Sequence, residues 1–149
     1  MRAVVQRVDS ASVEVDGKIV GKIARGFLVL VSAGHEDSEK DIAWMAKKIV
    51  NLRVFPDDED RMNFSLKDVD GELLIVSQFT LHGTCQKGNR PSFVAAMEPV
   101  RAEAMYNDFV ETLKQSISVV ETGIFGAMMK VSLTNDGPVT LLIDSHKKF

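Results

Sequence analysis

The spacing of apolar and polar positions changes period several times along the chain, and each change marks an element. Ala3, Val4 and Val5 open a stretch that runs through Arg7 and Val8 and reads as a strand. Val13-Glu14-Val15 and Ile19-Val20 flank Asp16-Gly17-Lys18. A hairpin is predicted there, because the two central residues of a tight turn need positive φ and Asp-Gly supplies it. Residues 27–31 are apolar at every position, as in a strand covered on both faces. Ile42, Met45, Ala46 and Ile49 then recur at helical spacing, behind Asp37 or Ser38 as N-cap and a first turn rich in acids. Residues 52–55 are predicted as a short strand ended by Pro56.

The second half alternates again. Val69-Asp70-Gly71-Glu72 forms a turn into a buried strand over residues 73–76. Pro99 suits the first turn of a helix, where its missing N–H costs nothing. Ala102, Met105, Tyr106, Phe109, Val110, Leu113 and Ile117 make one apolar stripe along that helix. Residues 127–134 alternate, and residues 139–143 give a last strand. Strands outnumber helices, and several follow one another without a crossover helix. The predicted fold is therefore α+β: a curled, barrel-like, mostly antiparallel or mixed sheet with two main helices packed on it.

Composition sets the frame for function. The 149 residues, 45% hydrophobic and 26% charged, match one soluble domain spanning residues 1–149. Eighteen Lys and Arg against 21 Asp and Glu leave a net charge of −3, which is no basic footprint for nucleic acid. The longest aliphatic run, at residues 27–31, is far too short to span a membrane. Gln6 and Asp9 interrupt the apolar N-terminus, so it does not read as a signal peptide, and a cytoplasmic location is expected. The single cysteine, Cys85, excludes an intrachain disulfide and a Cys-cluster metal site. The histidines show no metal-ligand spacing, and Asp57-Asp58-Glu59-Asp60 after Pro56 reads as a solvated loop. Neither a metal nor a cofactor is expected.

Two segments carry candidate chemistry. Residues 73–97 contain no Asp or Glu, yet hold His82, Lys87 and Arg90. This window begins as a buried strand, turns polar at Ser77-Gln78-Phe79-Thr80, and enters a Gly-containing basic loop. Its hydroxyls, amide and cations suit an anionic or ester-bearing ligand, although an edge strand with an exposed tip would look the same. Thr80 and His82, two apart on a strand, would share a face and could pair as nucleophile and base, with no third group to orient them. Cys85 lacks the setting that activates a thiol. In the second segment, Asn135-Asp136-Gly137-Pro138-Val139-Thr140, a tight turn is encoded before an X-Pro bond, the one type of bond that is cis with appreciable frequency. It fits a hairpin between the last two strands, or a rigid pair of carbonyl oxygens facing a ligand.

Four motifs carry a resemblance. Met1-Arg2-Ala3-Val4-Val5-Gln6-Arg7-Val8, Ser77-Gln78-Phe79-Thr80-Leu81, Lys87-Gly88-Asn89-Arg90-Pro91-Ser92-Phe93 and Asn135-Asp136-Gly137-Pro138-Val139-Thr140 resemble, in order and spacing, the D-aminoacyl-tRNA deacylase family. The similarity runs from Met1 to about Asp144. It implies a homodimer that hydrolyses the ester between a D-amino acid and the 3′-terminal adenosine of tRNA, and also clears glycine mischarged on tRNA(Ala). By this resemblance Ser77, Gln78, Phe79 and Thr80 line the catalytic pocket of one subunit. Gly137 and Pro138, as a cis pair, reach in from the other subunit with carbonyl oxygens that exclude an L-side chain. Phe125 and Met129 match positions near the adenosine. Thr80 is read either as an acyl nucleophile or as a positioning residue, with backbone N–H groups near Phe79 and Thr80 holding the oxyanion and the tRNA 2′-OH assisting water. A related animal branch with looser chirality carries Pro-Gln where this chain has Ser77-Gln78, which implies D-specificity here. A binding or assembly module on the same fold, and a Thr-dependent esterase for small molecules, are the competing readings. The resemblance assigns no role to Lys147 and Lys148 in the tail.

Overall fold

A computed structural model describes residues 1–148. Its eight strands and two helices follow in the order β1 (Arg2–Val15), β2 (Lys18–Ile23), β3 (Gly26–Ser32), α1 (Glu39–Val50), β4 (Phe55–Pro56), β5 (Met62–Phe64), β6 (Glu72–Ser77), α2 (Pro99–Lys114), β7 (Val120–Thr122) and β8 (Lys130–Asp144). A 3-10 turn, Phe79–His82, follows β6 directly. The main sheet has the order β2-β1-β3-β6-β7, and β8 pairs with β1. Pairing is antiparallel around β1, while β3–β6 and β6–β7 are parallel. β2 returns against β7 closely enough that a Cβ on Gly21 would lie 2.5 Å from the Thr122 carbonyl oxygen, so the sheet curls into a nearly closed barrel. The barrel-like mixed sheet with two helices is the architecture expected above.

The local predictions hold where turn and cap chemistry decide them. Asp16 and Gly17 take φ of 49° and 77° between β1 and β2, as an Asp-Gly hairpin requires. Ser38, not Asp37, caps α1: the Asp41 carboxylate accepts from the Ser38 N–H at 2.9 Å and from its hydroxyl at 3.0 Å. Pro99 occupies the first turn of α2, with the Glu98 carboxylate accepting from the N–H groups of Val100 and Arg101.

Two apolar clusters use the two faces of the central strands. Phe27, Val29, Val31, Leu73 and Ile75 face Met45, Ile49, Phe109 and Leu113 of the helices. Leu28, Leu74 and Val76 point the other way, into a second cluster with Val8, Val13 and Ile23. This double burial is why β3 and β6 are apolar at nearly every position.

Three expectations are corrected. The strand predicted at residues 52–55 is only Phe55–Pro56, paired with Met62–Phe64, and Pro56 sits inside it. Residues 127–134 and 139–143 do not form two strands joined by a hairpin. β8 runs continuously through Asn135-Asp136-Gly137-Pro138, because β1 pairs with it on both sides and absorbs the irregularity as register shifts between Gln6 and Val8 and between Val8 and Ser10. Thr80 and His82 do not share a strand face, since β6 ends at Ser77 and the chain tightens into the 3-10 turn.

Candidate active site

The end of β6 and the turn after it hold the first group of candidate residues. The Gln78 N–H makes the last sheet-like bond, 2.8 Å to the Val31 carbonyl, and the chain then folds back with Leu81 N–H donating to the Gln78 carbonyl at 3.2 Å. Phe79 and Thr80, the first two residues of the turn, precede that bond, so their N–H groups have no acceptor within the turn. Ser77 and Gln78 are half-buried, whereas Phe79 and Thr80 are exposed. The Gln78 side-chain amide donates to the Thr80 hydroxyl, and the Phe79 ring meets Phe93 edge-on at 5.1 Å.

His82 makes no hydrogen bond to Thr80: one ring nitrogen bonds to the Ser32 backbone, and Nε2 has no partner among the described residues. It is only 9% exposed, and its imidazole lies under the turn beside Gly34 and Arg2. Burial, followed by the Arg2 guanidinium, pulls its pKa below the ordinary histidine value, against the opposing pull of a hydrogen bond to the Ser32 backbone. The nucleophile–base pair read from an i,i+2 spacing is therefore not formed. Cys85 is exposed in the following loop.

Gly137 and Pro138 form the second group. They are exposed, joined by a cis peptide bond, and Gly137 adopts φ of 118°, a conformation suited to glycine. Sequence reasoning assigned no role to the residue beneath them, Arg7. Arg7 is buried, its Nε lies 2.8 Å from Asp136 Oδ2, and its Nη1 donates to the Val54 carbonyl. A signal was present: Ala3, Val5 and Arg7 share one face of β1, so Arg7 occupies a position that period-2 alternation sends inward.

The two groups do not meet within one chain. Ser77 lies level with Val31, Ala3 and Ile143 across the sheet, while Gly137 sits beside β1 between the pairs Gln6–Thr140 and Val8–Asn135. Three strand intervals separate them, roughly 14 Å at the usual spacing, with about four residues of offset along β1. Phe125 and Met129 are both half-buried: Phe125 packs against Tyr106 at 5.8 Å and the first apolar cluster, and Met129 over Gly123 and the second. The Tyr106 hydroxyl donates to the Ile75 carbonyl at 2.8 Å, and burial pushes its pKa up to about 12.

The fold also gathers charges that the sequence keeps far apart. Asp37, 1% exposed, accepts from the Met1 ammonium, from the Gly34 N–H at 2.6 Å and from His146 Nε2 at 2.7 Å. Asp41 completes a group in which one ligand atom from each of Asp37, Asp41 and His146 lies within 4.8 Å of the others. Asp57 closes the acidic loop on itself, accepting from the N–H groups of Glu59 and Arg61 and from the Asn63 amide. No described helix is long and apolar enough to cross a membrane.

An exposed hydroxyl and a half-buried amide beside turn N–H groups with no acceptor in the turn are the kind of groups that can bind and polarise a carbonyl, as a hydrolase acting on an acyl compound requires. Comparison with known proteins narrows that class. Residues 4–144 match the family described as D-Tyr-tRNA(Tyr) deacylase, and the chain belongs to that family of ester-hydrolysing enzymes. Proteins named D-aminoacyl-tRNA deacylase from Clostridium novyi (strain NT) and Thermosipho africanus (strain TCF52B) are each 57% identical over 149 residues, covering all of both chains. The solved structure of a c-Myc DNA unwinding element binding protein is 44% identical, with a TM-score of 0.92, covering 97% of this chain and 98% of that one. A structure described as a probable eukaryotic D-amino acid tRNA deacylase shares the fold at 18% identity and a TM-score of 0.82, covering 95% of this chain and 97% of that one.

Proposed function

We propose that this chain hydrolyses the ester between a D-amino acid and the 3′-terminal adenosine of tRNA, and also removes glycine mischarged on tRNA(Ala). It acts as a homodimer in which Ser77, Gln78, Phe79 and Thr80 of one subunit face Gly137 and Pro138 of the other. The observation that carries this reading is the separation of those two groups within one chain, which a second copy would bridge. β8 supports it: among the described residues it pairs only with β1, leaving a fifteen-residue strand with one open edge and an exposed Leu142.

In the reaction, water attacks the ester carbonyl carbon. The bond to the ribose oxygen then breaks, releasing the amino acid and a tRNA hydroxyl. The N–H groups of Phe79 and Thr80 hold the developing oxyanion, and the neighbouring 2′-OH of the tRNA orients the water. Thr80 positions substrate through its bond from Gln78 and is not acylated. The Gly137 and Pro138 carbonyl oxygens occupy the space an L-side chain would need and offer it no donor, whereas hydrogen or a D-side chain passes. Phe125 and Met129 contact the adenosine. A cytoplasmic location follows from this substrate.

The test uses mixed dimers. A Gly137→Ala chain and a Gln78→Ala/Thr80→Ala chain, each assayed alone and then co-assembled, are given D-Tyr-tRNA, L-Tyr-tRNA and Gly-tRNA(Ala). Composite sites predict that mixing raises activity above the mean of the two parent chains by up to a quarter of the wild-type value, because random pairing makes about half the molecules heterodimers, each with one intact site. Equal cleavage of L- and D-Tyr-tRNA by the wild type, or no gain on mixing, overturns the reading. A DNA-binding role, prompted by the name of one structural relative, predicts retention of duplex DNA at physiological salt; a net charge of −3 argues against it.

A further inference from the structure

The turn that carries Thr80 rests on an imidazole that proposed chemistry leaves unused. His82 closes the turn, is nine-tenths buried, and is packed so tightly on Gly34 that a Cβ there would lie 2.8 Å from its Cε1. One ring nitrogen bonds to the Ser32 backbone, which belongs to β3, the strand paired with β6. The other, Nε2, is buried without a hydrogen-bond partner among the described residues. The preceding residue is held from the same side, since Arg2 Nη1 donates to the Leu81 carbonyl at 2.9 Å.

We propose that neutral His82 is a positioning residue, locking the Phe79–His82 turn to β3 and releasing it when the imidazole is protonated. The proposal rests on the deacylase reading for its consequence in turnover, but not for the behaviour of the ring.

The geometry argues for a proton-dependent lock. With Nδ1–H donating to the Ser32 carbonyl, the neutral ring satisfies its donor and leaves only an acceptor idle, a modest cost. Protonation adds a second donor at Nε2, which must find an acceptor or reach water, and it does so beside the Arg2 guanidinium and the Met1 ammonium. Asp37 is the facing anion that opposes this repulsion, but it already accepts from the ammonium, Gly34 and His146. The cleft of about 260 Å³ beside the ring is also lined by Glu36, Asp144, His35, His146 and Lys148. Asp144 is committed to Arg2 and to the His146 N–H, and His35 to the Val94 carbonyl. Protonated His82 therefore swings toward the cleft, and the N–H groups of Phe79 and Thr80 lose their alignment.

Two measurements test the lock. The first follows the imidazole nitrogens of the intact wild-type protein by NMR during an acid titration, independently of any activity. A ring that holds its proton on Nδ1 and titrates below about 6.5 supports the lock; titration at or above the ordinary histidine value overturns it. The second is the pH profile of single-turnover D-Tyr-tRNA hydrolysis. His82→Asn, whose amide can still donate to Ser32 but cannot titrate, is expected to keep kcat within about threefold at pH 7.5 and to flatten the acid limb. His82→Ala is expected to lower kcat ~10–100-fold with KM changed less than threefold. An acid limb unchanged in His82→Asn, or full kcat in a folded His82→Ala, overturns the proposal. If the ring titrates as expected but no tRNA is cleaved by the wild type, the deacylase reading fails and the lock on the turn stands.

Discussion

Arg7 Nε lies 2.8 Å from Asp136 Oδ2, which ties a buried cation of β1 to the residue just before Gly137. The same guanidinium donates to the Val54 carbonyl, so it is anchored at its back and presents its front to the Asn135–Thr140 segment. A Cβ on Gly137 would also come within 3.1 Å of Arg7 Nη2, which places the guanidinium directly under the glycine. In this arrangement Arg7 backs the main chain at Gly137 and is paired with the residue before it.

Arg7→Ala is therefore expected to cost about 1–3 kcal/mol of stability, through an unpaired Val54 carbonyl and a partly exposed Asp136 left alone. Its larger effect should be on selectivity. The ratio of D- to L-Tyr-tRNA hydrolysis should fall at least tenfold, and Arg7→Lys, a point charge that cannot hold both partners in a fork, should recover little of it. Urea denaturation and paired deacylation assays measure the two effects separately.

Thr80 receives a hydrogen bond from Gln78, and the nearest histidine in sequence is buried and bonded to Ser32 instead. A hydroxyl with no base beside it is a poor nucleophile. Thr80→Ala should retain single-turnover hydrolysis within about tenfold of wild type, and mass spectrometry of quenched wild-type reactions should find no aminoacyl adduct on the protein. An aminoacyl adduct on Thr80 would establish the covalent route instead, and complete loss of hydrolysis in a folded Thr80→Ala chain would overturn the expectation that Thr80 is dispensable.

How far the sequence spoke for itself depended on the reach of the interaction concerned. The Asp16-Gly17 hairpin, and the start of α1 to within the choice between Asp37 and Ser38, were legible because their chemistry lies within a few residues. β3 and β6 were legible because burial on both faces leaves no polar position to misread. The turn at Thr80 was not legible, since an alternation of Phe79, Thr80, Leu81 and His82 suits a strand equally well. What ends β6 is distant: the partner strand β3 stops at Ser32, and Arg2 pulls on the Leu81 carbonyl. The continuity of β8 is not legible for the same reason, because only the long β1 shows that pairing resumes beyond Pro138. The Ser77–Thr80 and Gly137-Pro138 motifs were identified through family resemblance. That they are three strands apart emerged only from the sheet order.

Asp37 makes the charged cluster a source of acid sensitivity. Burial alone would raise its pKa, but the Met1 ammonium, the Gly34 N–H and His146 outweigh that and hold it below the ordinary carboxylate value. A carboxyl depressed in the folded state adds stability above its unfolded pKa, and that contribution is lost as pH falls through the folded one. Stability should therefore decline as pH drops below about 4. Asp37→Asn should lower stability by about 3 kcal/mol at pH 7 and make the acid decline shallower. Urea midpoints collected from pH 7 down to about 2.5 decide the matter, and parallel curves for the two proteins would assign the acid sensitivity elsewhere.

Gly21 is where the barrel closes. Its missing side chain lets β2 approach β7 so that a Cβ would stand 2.5 Å from the Thr122 carbonyl oxygen and 3.1 Å from Leu74 Cδ1. Leu74 can yield by a change of rotamer, but the carbonyl is backbone and can move only with its strand. β7 is three residues long, held to β6 by register pairs at Leu73, Leu74 and Ile75 and continued by the Gly123 N–H bond to the Ile75 carbonyl. Gly21→Ala should thus displace β7 rather than β2, which is fixed to β1 over five register pairs. The expected cost is about 1–3 kcal/mol, the range for an added methyl without room. Lys22→Ala, exposed on the same strand, should be nearly neutral. Hydrogen exchange locates the damage: amides of β7 and Gly123 should lose protection while those of β2 keep theirs. Because the segment after β7 carries Phe125 and Met129, the same variant should raise KM for aminoacyl-tRNA more than it lowers kcat, as the proposed adenosine contact of those two residues requires.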